Sequence, residues 1–508
     1  MNLGRVLFVR PPLVFDRRIG HEGPHPPLES LYLAALLEPR YDVGLLDGMT
    51  HIGQVEQVSR FIDRAGMTDG QLADGIRAFK PDVVCLSSMW VNQKSSLERT
   101  ADLVKSVSSD IVTIAGGLLP SSLPQEISAR PSIDYVIAGE GEVALPHLLQ
   151  GLAGGKVEPL SGIHSRCVEA PPERSAAMAP SLDALPSPAY HLVDFDEYRS
   201  PFEGGHVKNF PYIGVLPTRG CTYACSFCSL PNVTARTFRR LSVERVIADM
   251  ELLKGQYGIK EFHFYDANLL NDPAWARDLF RAMIAARIQV PWLSEAGLAI
   301  WELNREILDL AVESGMYRLD LPIESGSKKV RKDIMNKDLF DRDGVANVIR
   351  MARAAGIERI QGYVMLGNPG EDRKTMQETL DTLNRLDLDY KGVRFAQPFP
   401  NTKFYDTCLD NGFLADGFSY DGLWFTKPQI QTDQFNIPQL LSTVQSDRAL
   451  ALRRLGRQGL FASIRQIFAG WGIGVGMRSL IKIPQLSLHY RTLDIPAPRA
   501  AVRKEQQA

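Results

Sequence analysis

Three cysteines stand within eight residues, in the run Cys221-Thr-Tyr-Ala-Cys225-Ser-Phe-Cys228. Spacings of four and three let one tight loop direct three thiolates at a single metal cluster. Three thiolates on a four-iron cluster leave one iron without a protein ligand. An open coordination position marks chemistry rather than structure, by the logic that separates catalytic from structural zinc. A structural zinc ion would seek a fourth cysteine or histidine. The nearest downstream histidine, His263, falls in a predicted strand, and Cys167 lies in a proline-rich stretch far from the triad. A [4Fe–4S] cluster on Cys221, Cys225 and Cys228 is therefore the expected metal site, with zinc the lesser reading.

The elements that must position this loop read as α/β. From Tyr212 a series of strands is predicted at Ile213–Pro217, Glu261–Tyr265, Trp292–Ala296, Arg318–Pro322, Gln361–Leu366 and Val393–Gln397. Helical patterns such as 243–257, 274–286, 305–313, 344–355 and 373–386 separate them. Six such units in a row make a partial (β/α)6 barrel over residues 206–400, with its chemistry at the strand C-termini. The cysteine run follows the first of these strands. Arg318, Arg394 and Glu295 also sit on barrel strands, where ion pairs inside the barrel account for them as well as a site does.

The first 155 residues alternate β-branched runs with helical patterns, the signature of a Rossmann-like parallel sheet. Strands are predicted at Arg5–Val9, Tyr41–Leu46, Val83–Ser87, Ile111–Ala115 and Tyr135–Ile137. Ligands on such sheets bind beyond the carboxyl ends of strands. Those ends carry Pro11–Pro12, Asp47–Gly48, Ser87-Ser88-Met89, Gly116–Gly117 and Gly139-Glu140-Gly141-Glu142. Taken as a set, these small and bond-capable residues suggest a ligand crevice. Residues 156–205 lose periodicity and gain proline, which reads as a linker.

The cysteine run after the first strand of a barrel resembles the radical S-adenosylmethionine enzymes, with Phe227 at their usual aromatic position. The resemblance implies that S-adenosylmethionine chelates the open iron, and that one electron from the cluster cleaves it to a 5′-deoxyadenosyl radical. Asp266, in Tyr265-Asp-Ala-Asn268, stands where the family carries Gly-Gly-Glu near the methionine amino group. Glu324-Ser325-Gly326 resembles the segment near the ribose, and the stretch around Gly367 the adenine-side segment.

An α/β domain ahead of such a barrel is similar to the cobalamin-binding subgroup of this superfamily. Ser87 and Ser88 match its Ser-x-Leu element near the cofactor's nucleotide tail. Gly116 and Gly117 match its Gly-Gly element, and Gly139, Glu140 and Gly141 its Gly-Glu-Gly run. The subgroup's Asp-x-His-x-x-Gly motif is absent; Asp16, His21 and Gly23 have the wrong spacing, so His21 is not assigned as a cobalt ligand. A nicotinamide-binding reading fails because Pro11–Pro12 stands where a G-x-G-x-x-G turn belongs. A methylthio-transferring reading fails because only Cys85 is present where three further cysteines are needed. The layout, including Glu261–Asp272, also looks like that of phosphonate C-methylases, without carrying a substrate across.

The resemblance implies a cobalamin-dependent radical methyltransferase acting at an unactivated carbon of a small-molecule or lipid-like metabolite. A substrate radical would take its methyl group from cobalamin, which a second S-adenosylmethionine would recharge. The runner-up is a non-methylating reaction of the same scaffold: cyclisation, carbon–carbon coupling or oxidation. A non-catalytic corrinoid or iron–sulfur carrier is the third reading, and a complete barrel argues against it. An external one-electron reductant of flavodoxin or ferredoxin type is implied.

A net charge of −2 supplies no field for nucleic acid, so none is expected as a partner. Six cysteines in 508 residues are too few for a disulfide scaffold. No secretory pattern or run of about 18 apolar residues is visible, so a cytoplasmic location is expected. Residues 401–508 break the βα alternation and are expected to be mainly helical. From Ser442 onward they hold eleven Lys or Arg against three Asp or Glu, a net +8, around the apolar stretch Ile467–Met477. Such a tail suits an anionic substrate, a substrate cover or peripheral contact with a membrane surface; a packed element with a solvated basic face is the plainer alternative.

Overall fold

The segment Arg5-Val-Leu-Phe-Val-Arg10 is apolar at four consecutive positions, the pattern of a strand covered on both faces. In the structure, a computed structural model that describes residues 3–17, 24–166, 177–198 and 207–446, it is the strand β1. The N-terminal strands are β1 (Arg5–Arg10), β2 (Leu13–Asp16), β3 (Asp42–Asp47), β4 (Val55–Gln57), β5 (Ile62–Ala65), β6 (Val83–Ser87), β7 (Val112–Gly116), β8 (Tyr135–Ile137) and β9 (Ile163–His164). Six of them form one sheet in the order β3-β1-β6-β7-β8-β9. All its pairings are parallel except β8 with β9. The five strands expected from sequence are the parallel ones. The small antiparallel sheet β2-β5-β4 was not expected: its strands are short, and β4 is exposed throughout.

The second series is β10 (Tyr212–Val215), β11 (Thr218–Gly220), β12 (Phe238–Arg240), β13 (Glu261–Phe264), β14 (Trp292–Ser294), β15 (Met316–Glu324), β16 (Arg359–Leu366) and β17 (Tyr390–Phe395). Six of these make a wholly parallel sheet in the order β10-β13-β14-β15-β16-β17. This is the partial barrel, open between β10 and β17. Alternation along β15 shows how it is built: Leu319, Leu321 and Ile323 join the apolar layer beneath the helices. Arg318 and Asp320 alternate with them on the other face. Gly214 and Gly392 make room there for aromatic rings, since a Cβ would fall 2.1 Å from Tyr265 and 2.4 Å from Tyr363.

Capping residues set where the barrel helices begin. Asp272, Asn304, Asp341 and Asp372 each accept a hydrogen bond from the backbone N–H three residues on. Each follows a strand or its loop, so the strand ends stay free for chemistry while the helices start on schedule.

The two sheets are joined by buried charge. Arg219 Nη1 donates to Glu142 Oε1 at 2.5 Å and lies 3.4 Å from Glu140, while Arg239 pairs with the other oxygen of Glu140. Residues 177–198 pack between the sheets. Tyr198 donates to Asp47 Oδ2 at 2.6 Å, and Asp47 is also held by Arg10. Residues 403–446 run back over both halves. Phe404, Ile430, Phe435 and Leu440 pack on Val330, Met335 and Met376 of the barrel. Leu423 joins the N-terminal core, and Asp421 accepts from Ser95 N–H at 3.0 Å. The described part of the C-terminal region holds the helices Lys403–Asp410 and 437–446. Most of the basic tail, its apolar stretch, His21 and Cys167 lie outside the described residues.

Candidate functional site: a cysteine loop facing a glycine-lined crevice

The cysteine loop leaves the hairpin β11–β12 and is pinned from several sides. Thr222 N–H donates to Asn271 Oδ1 at 3.3 Å, and Trp301 Nε1 donates to Tyr223 Oη at 2.7 Å. Ser226 N–H donates to Met335 O at 2.9 Å, and Asn336 Nδ2 to Ala224 O at the same distance. Cys228 N–H turns back on Cys225 O at 3.3 Å. The Phe227 ring packs against Phe404 with centroids 5.9 Å apart. All three cysteines are free thiols and partly exposed. Burial pushes the Cys225 thiol up to about 11 and the Cys228 thiol upward too. A bound metal must therefore hold them as thiolates. Among the described residues, no group of three or more His, Cys, Asp or Glu is arranged to hold a metal ion. A four-iron cluster makes a different demand, one thiolate at each of three separate corners, and the pinned loop supplies three.

Polar atoms at the neighbouring strand ends await a partner. Asp266 Oδ1 accepts from Thr218 N–H at 2.7 Å and from its hydroxyl, which ties β13 to the strand leading into the loop. Its other oxygen is buried without a hydrogen bond, as are both polar atoms of the Asn268 side chain and Gln397 Oε1. Burial pushes the Asp266 carboxyl up to about 7, against the hydrogen bonds from Thr218. Buried groups of this kind ordinarily find partners. A ligand with amino, carboxylate and ribose groups would supply them, so this end of the barrel fits S-adenosylmethionine.

The other expected residues divide between strand-end groups and packing. Glu324 ends β15 across a register shift, with φ +61, and accepts from Lys337 Nζ at 2.7 Å. Ser325 is buried, its hydroxyl 2.7 Å from Thr379 Oγ1, and a Cβ on Gly326 would fall 2.4 Å from Thr382 Oγ1. Both hold the helix Arg373–Arg385 to the strand end. Gly367 takes φ +79 and donates from its N–H to Glu371 Oε2 at 2.9 Å, which closes the turn after β16.

Inside the barrel His263 bridges two carboxylates, with Nε2 2.9 Å from Glu261 and Nδ1 2.7 Å from Glu295. Burial works against its charge, but the two carboxylates outweigh it and raise its pKa. Arg318 pairs with Asp320 at 2.9 Å and lies 3.4 Å from Glu295. Arg394 lies over the Tyr363 ring. His25, from the N-terminal half, stands between Trp90 and Tyr265, and burial with the nearby Arg10 charge pushes it down to about 3.

In the N-terminal sheet, Gly116 would meet nothing closer than 3.9 Å if it carried a Cβ, so space stands open at the end of β7. Gly117 has φ +104, and a Cβ there would fall 2.5 Å from Ser88 O. Ser88 N–H donates to Gly116 O at 3.0 Å, and the Ser87 hydroxyl donates to Glu29 at 2.8 Å. Gly139 has φ +102 and donates to Ser121 Oγ at 2.8 Å. Gly141 opens the helix Gly141–Ala153. Glu140 is committed to Arg219 and Arg239. Met89 is 37% exposed at the same strand ends. Open space at Gly116 with an apolar side chain near it fits a corrinoid and its nucleotide tail.

Sequence reading missed Lys337, His25 and the Arg219 and Arg239 anchors. Lys337 and His25 carry no spacing signal, and the anchors pair with residues 77 to 99 positions away.

Residues 215–383 match the Radical SAM superfamily, and residues 19–149 match the B12 binding domain. Cytidylyl-2-hydroxyethylphosphonate methyltransferase of Streptomyces wedmorensis is 32% identical over 76% of this chain and 78% of its own length. The anaerobic magnesium-protoporphyrin IX monomethyl ester cyclase of Rubrivivax gelatinosus is 24% identical over 87% of this chain and 76% of its own. Among solved structures, the cobalamin-dependent S-adenosylmethionine radical enzyme OxsB is similar in fold. The TM-score is 0.67 at 16% identity, covering 97% of this chain and 71% of that one.

Proposed function

This chain belongs to the radical SAM superfamily, in its cobalamin-binding subgroup, and on that premise we propose that it methylates an unactivated carbon of a small molecule. Its cofactors are a [4Fe–4S] cluster, S-adenosylmethionine and cobalamin. Together these supply a hydrogen-abstracting radical and a transferable methyl group.

One observation carries the reading. Arg219, two residues before Cys221, is paired with Glu142 and Glu140 of the Gly139-Glu-Gly-Glu142 run. The cysteine loop is thus clamped against the carboxyl end of the crevice sheet, as a reaction needing both cofactors requires. In this reading Cys221, Cys225 and Cys228 hold the cluster, and Asp266, Asn268 and Gln397 receive S-adenosylmethionine. Glu324 and the Gly367 turn shape its ribose and adenine sides. Gly116, Gly117 and the Ser87–Ser88 end of β6 admit cobalamin, while Glu140 holds the joint. Residues 1–155 serve cobalamin, 206–400 the radical chemistry, 156–205 the connection, and the described part of the C-terminal region covers the site. The segment 403–446 excludes water by packing on both halves.

An anionic substrate is supported by the phosphonate relative and by the basic tail. An external flavodoxin- or ferredoxin-type protein would supply electrons. Among the described residues no helix is long and apolar enough to cross a membrane; surface contact through the tail would appear as co-sedimentation with anionic vesicles. The cyclase relative supports a second reading, oxidation or ring closure without methyl transfer.

The test is anaerobic turnover of cytidylyl-2-hydroxyethylphosphonate and of a panel of phosphate and carboxylate metabolites, followed by mass spectrometry. A product gaining one methyl group supports the proposal, and a product of ring closure or oxidation supports the second reading.

A further inference from the structure

We propose that Lys337 raises the reduction potential of the cluster held by Cys221, Cys225 and Cys228. This rests on the cluster reading above.

The chain takes an unusual route to bring Lys337 to the cysteine loop. The segment Val330–Ile334 is a π-helical turn, in which Met335 N–H donates to Val330 O at 2.9 Å. Such turns are rare and gather at functional sites. Asn336 then adopts φ +51, and Lys337 N–H donates back to Arg331 O at 2.7 Å. The detour lays residues 335–337 along residues 224–227. Met335 accepts from Ser226, Asn336 donates to Ala224, and Lys337 Nζ sits 6.0 Å from the Phe227 ring centre, between the second and third cysteines. The Trp301 ring is 5.9 Å away on another side. Both distances are within cation–π reach.

Lys337 is only 7% exposed, and its ion-pair partner is Glu324 at 2.7 Å. Burial opposes its charge, but Glu324 outweighs that, so the ammonium stays charged. The ammonium is laid against the loop at Phe227, and its counter-ion Glu324 stands at the end of β15. Lys337 is therefore the positive charge that the detour brings to the loop. Adding one electron from an external reductant makes the cluster more negative. A positive field in a poorly screened pocket stabilises that state.

Potentiometric titration of the anaerobically reconstituted full chain, without S-adenosylmethionine and followed by visible absorbance and EPR, reads this directly. Lys337→Met should lower the midpoint so that the reduced-to-oxidised ratio at a fixed poise falls about tenfold, which is 59 mV for a one-electron couple. Lys337→Arg should restore it, and Glu324→Gln should move it the other way. A merely structural lysine would leave all three midpoints at the wild-type value, which overturns the proposal. Should Lys337→Met fail to hold a cluster, Glu324→Gln decides: an unmoved or lowered midpoint overturns the proposal. A wild-type chain that takes up no cluster would overturn the cluster reading as well, whereas unmoved midpoints on a normal cluster sink this inference alone.

Discussion

Arg219 and Glu142, 2.5 Å apart and exposed by only 8% and 7% of their side chains, form the buried joint between the cysteine loop and the crevice sheet. The Arg219 guanidinium also lies 5.0 Å from the Tyr32 ring centre. Removing one member of a buried pair leaves the other charge uncompensated and costs roughly 3–5 kcal/mol. Glu142→Leu should therefore lower the apo chain's unfolding free energy, read by urea titration, by an amount in that range. A loss below about 1 kcal/mol, the scale of an exposed pair, would mean the joint does not hold the halves together.

Gly116 and Gly117 should respond differently to substitution. At Gly116 a side chain enters open space, so Gly116→Leu should leave the melting temperature near wild type while weakening hydroxocobalamin binding about tenfold or more, some 1.4 kcal/mol. At Gly117 the positive φ and the contact with Ser88 O make even alanine strained, so Gly117→Ala should lose about 1 kcal/mol or more of stability. Equilibrium dialysis and thermal melts separate the two effects. Equal cobalamin affinity in Gly116→Leu and wild type would place the corrinoid elsewhere.

Among the cysteines, Cys225→Ala should abolish the thiolate–iron absorbance at roughly 400 nm. Cys85→Ala and Cys408→Ala should retain it. Both are buried and lie outside the loop, and burial pushes both thiols up to about 12. Spectra and iron analysis after anaerobic reconstitution check this. A cluster that survives Cys225→Ala would contradict the ligand set.

Asp266 predicts a pH dependence of stability. Its carboxyl is raised from an ordinary 3.8 to about 7 by burial, so between those values the folded chain binds a proton that the unfolded chain has released. Stability from this group is full below about pH 4 and is lost as pH rises towards 7. Asp266→Asn keeps an acceptor for Thr218 and should flatten the apo chain's stability profile across that window. An unchanged slope would show that Asp266 does not titrate there.

The sequence made the cysteine loop and the parallel strands legible because each is written locally. Cys221–Cys228 is a spacing, and β1 or β6 is an unbroken apolar run between turn residues. What it hid is non-local or conformational. Glu140 reads as a crevice residue, yet Arg239, 99 positions later, claims its carboxylate. Ser325 and Gly326 read as ligand contacts, and the sequence did not show that Thr379 and Thr382 also press on them from a helix. The hairpin β11–β12 pairs three residues with three, too few for a periodic signal. Lys337 reaches the cysteines through a π-turn and a positive φ, for which no residue pattern stands.

The central claim, methyl transfer by both halves together, is tested most directly by the co-products of one anaerobic reaction with S-adenosylmethionine, cobalamin, reductant and a substrate the chain consumes. Equal amounts of S-adenosylhomocysteine and 5′-deoxyadenosine, each matching the methylated product, are predicted. Deoxyadenosine formed with substrate loss but without S-adenosylhomocysteine would contradict methyl transfer.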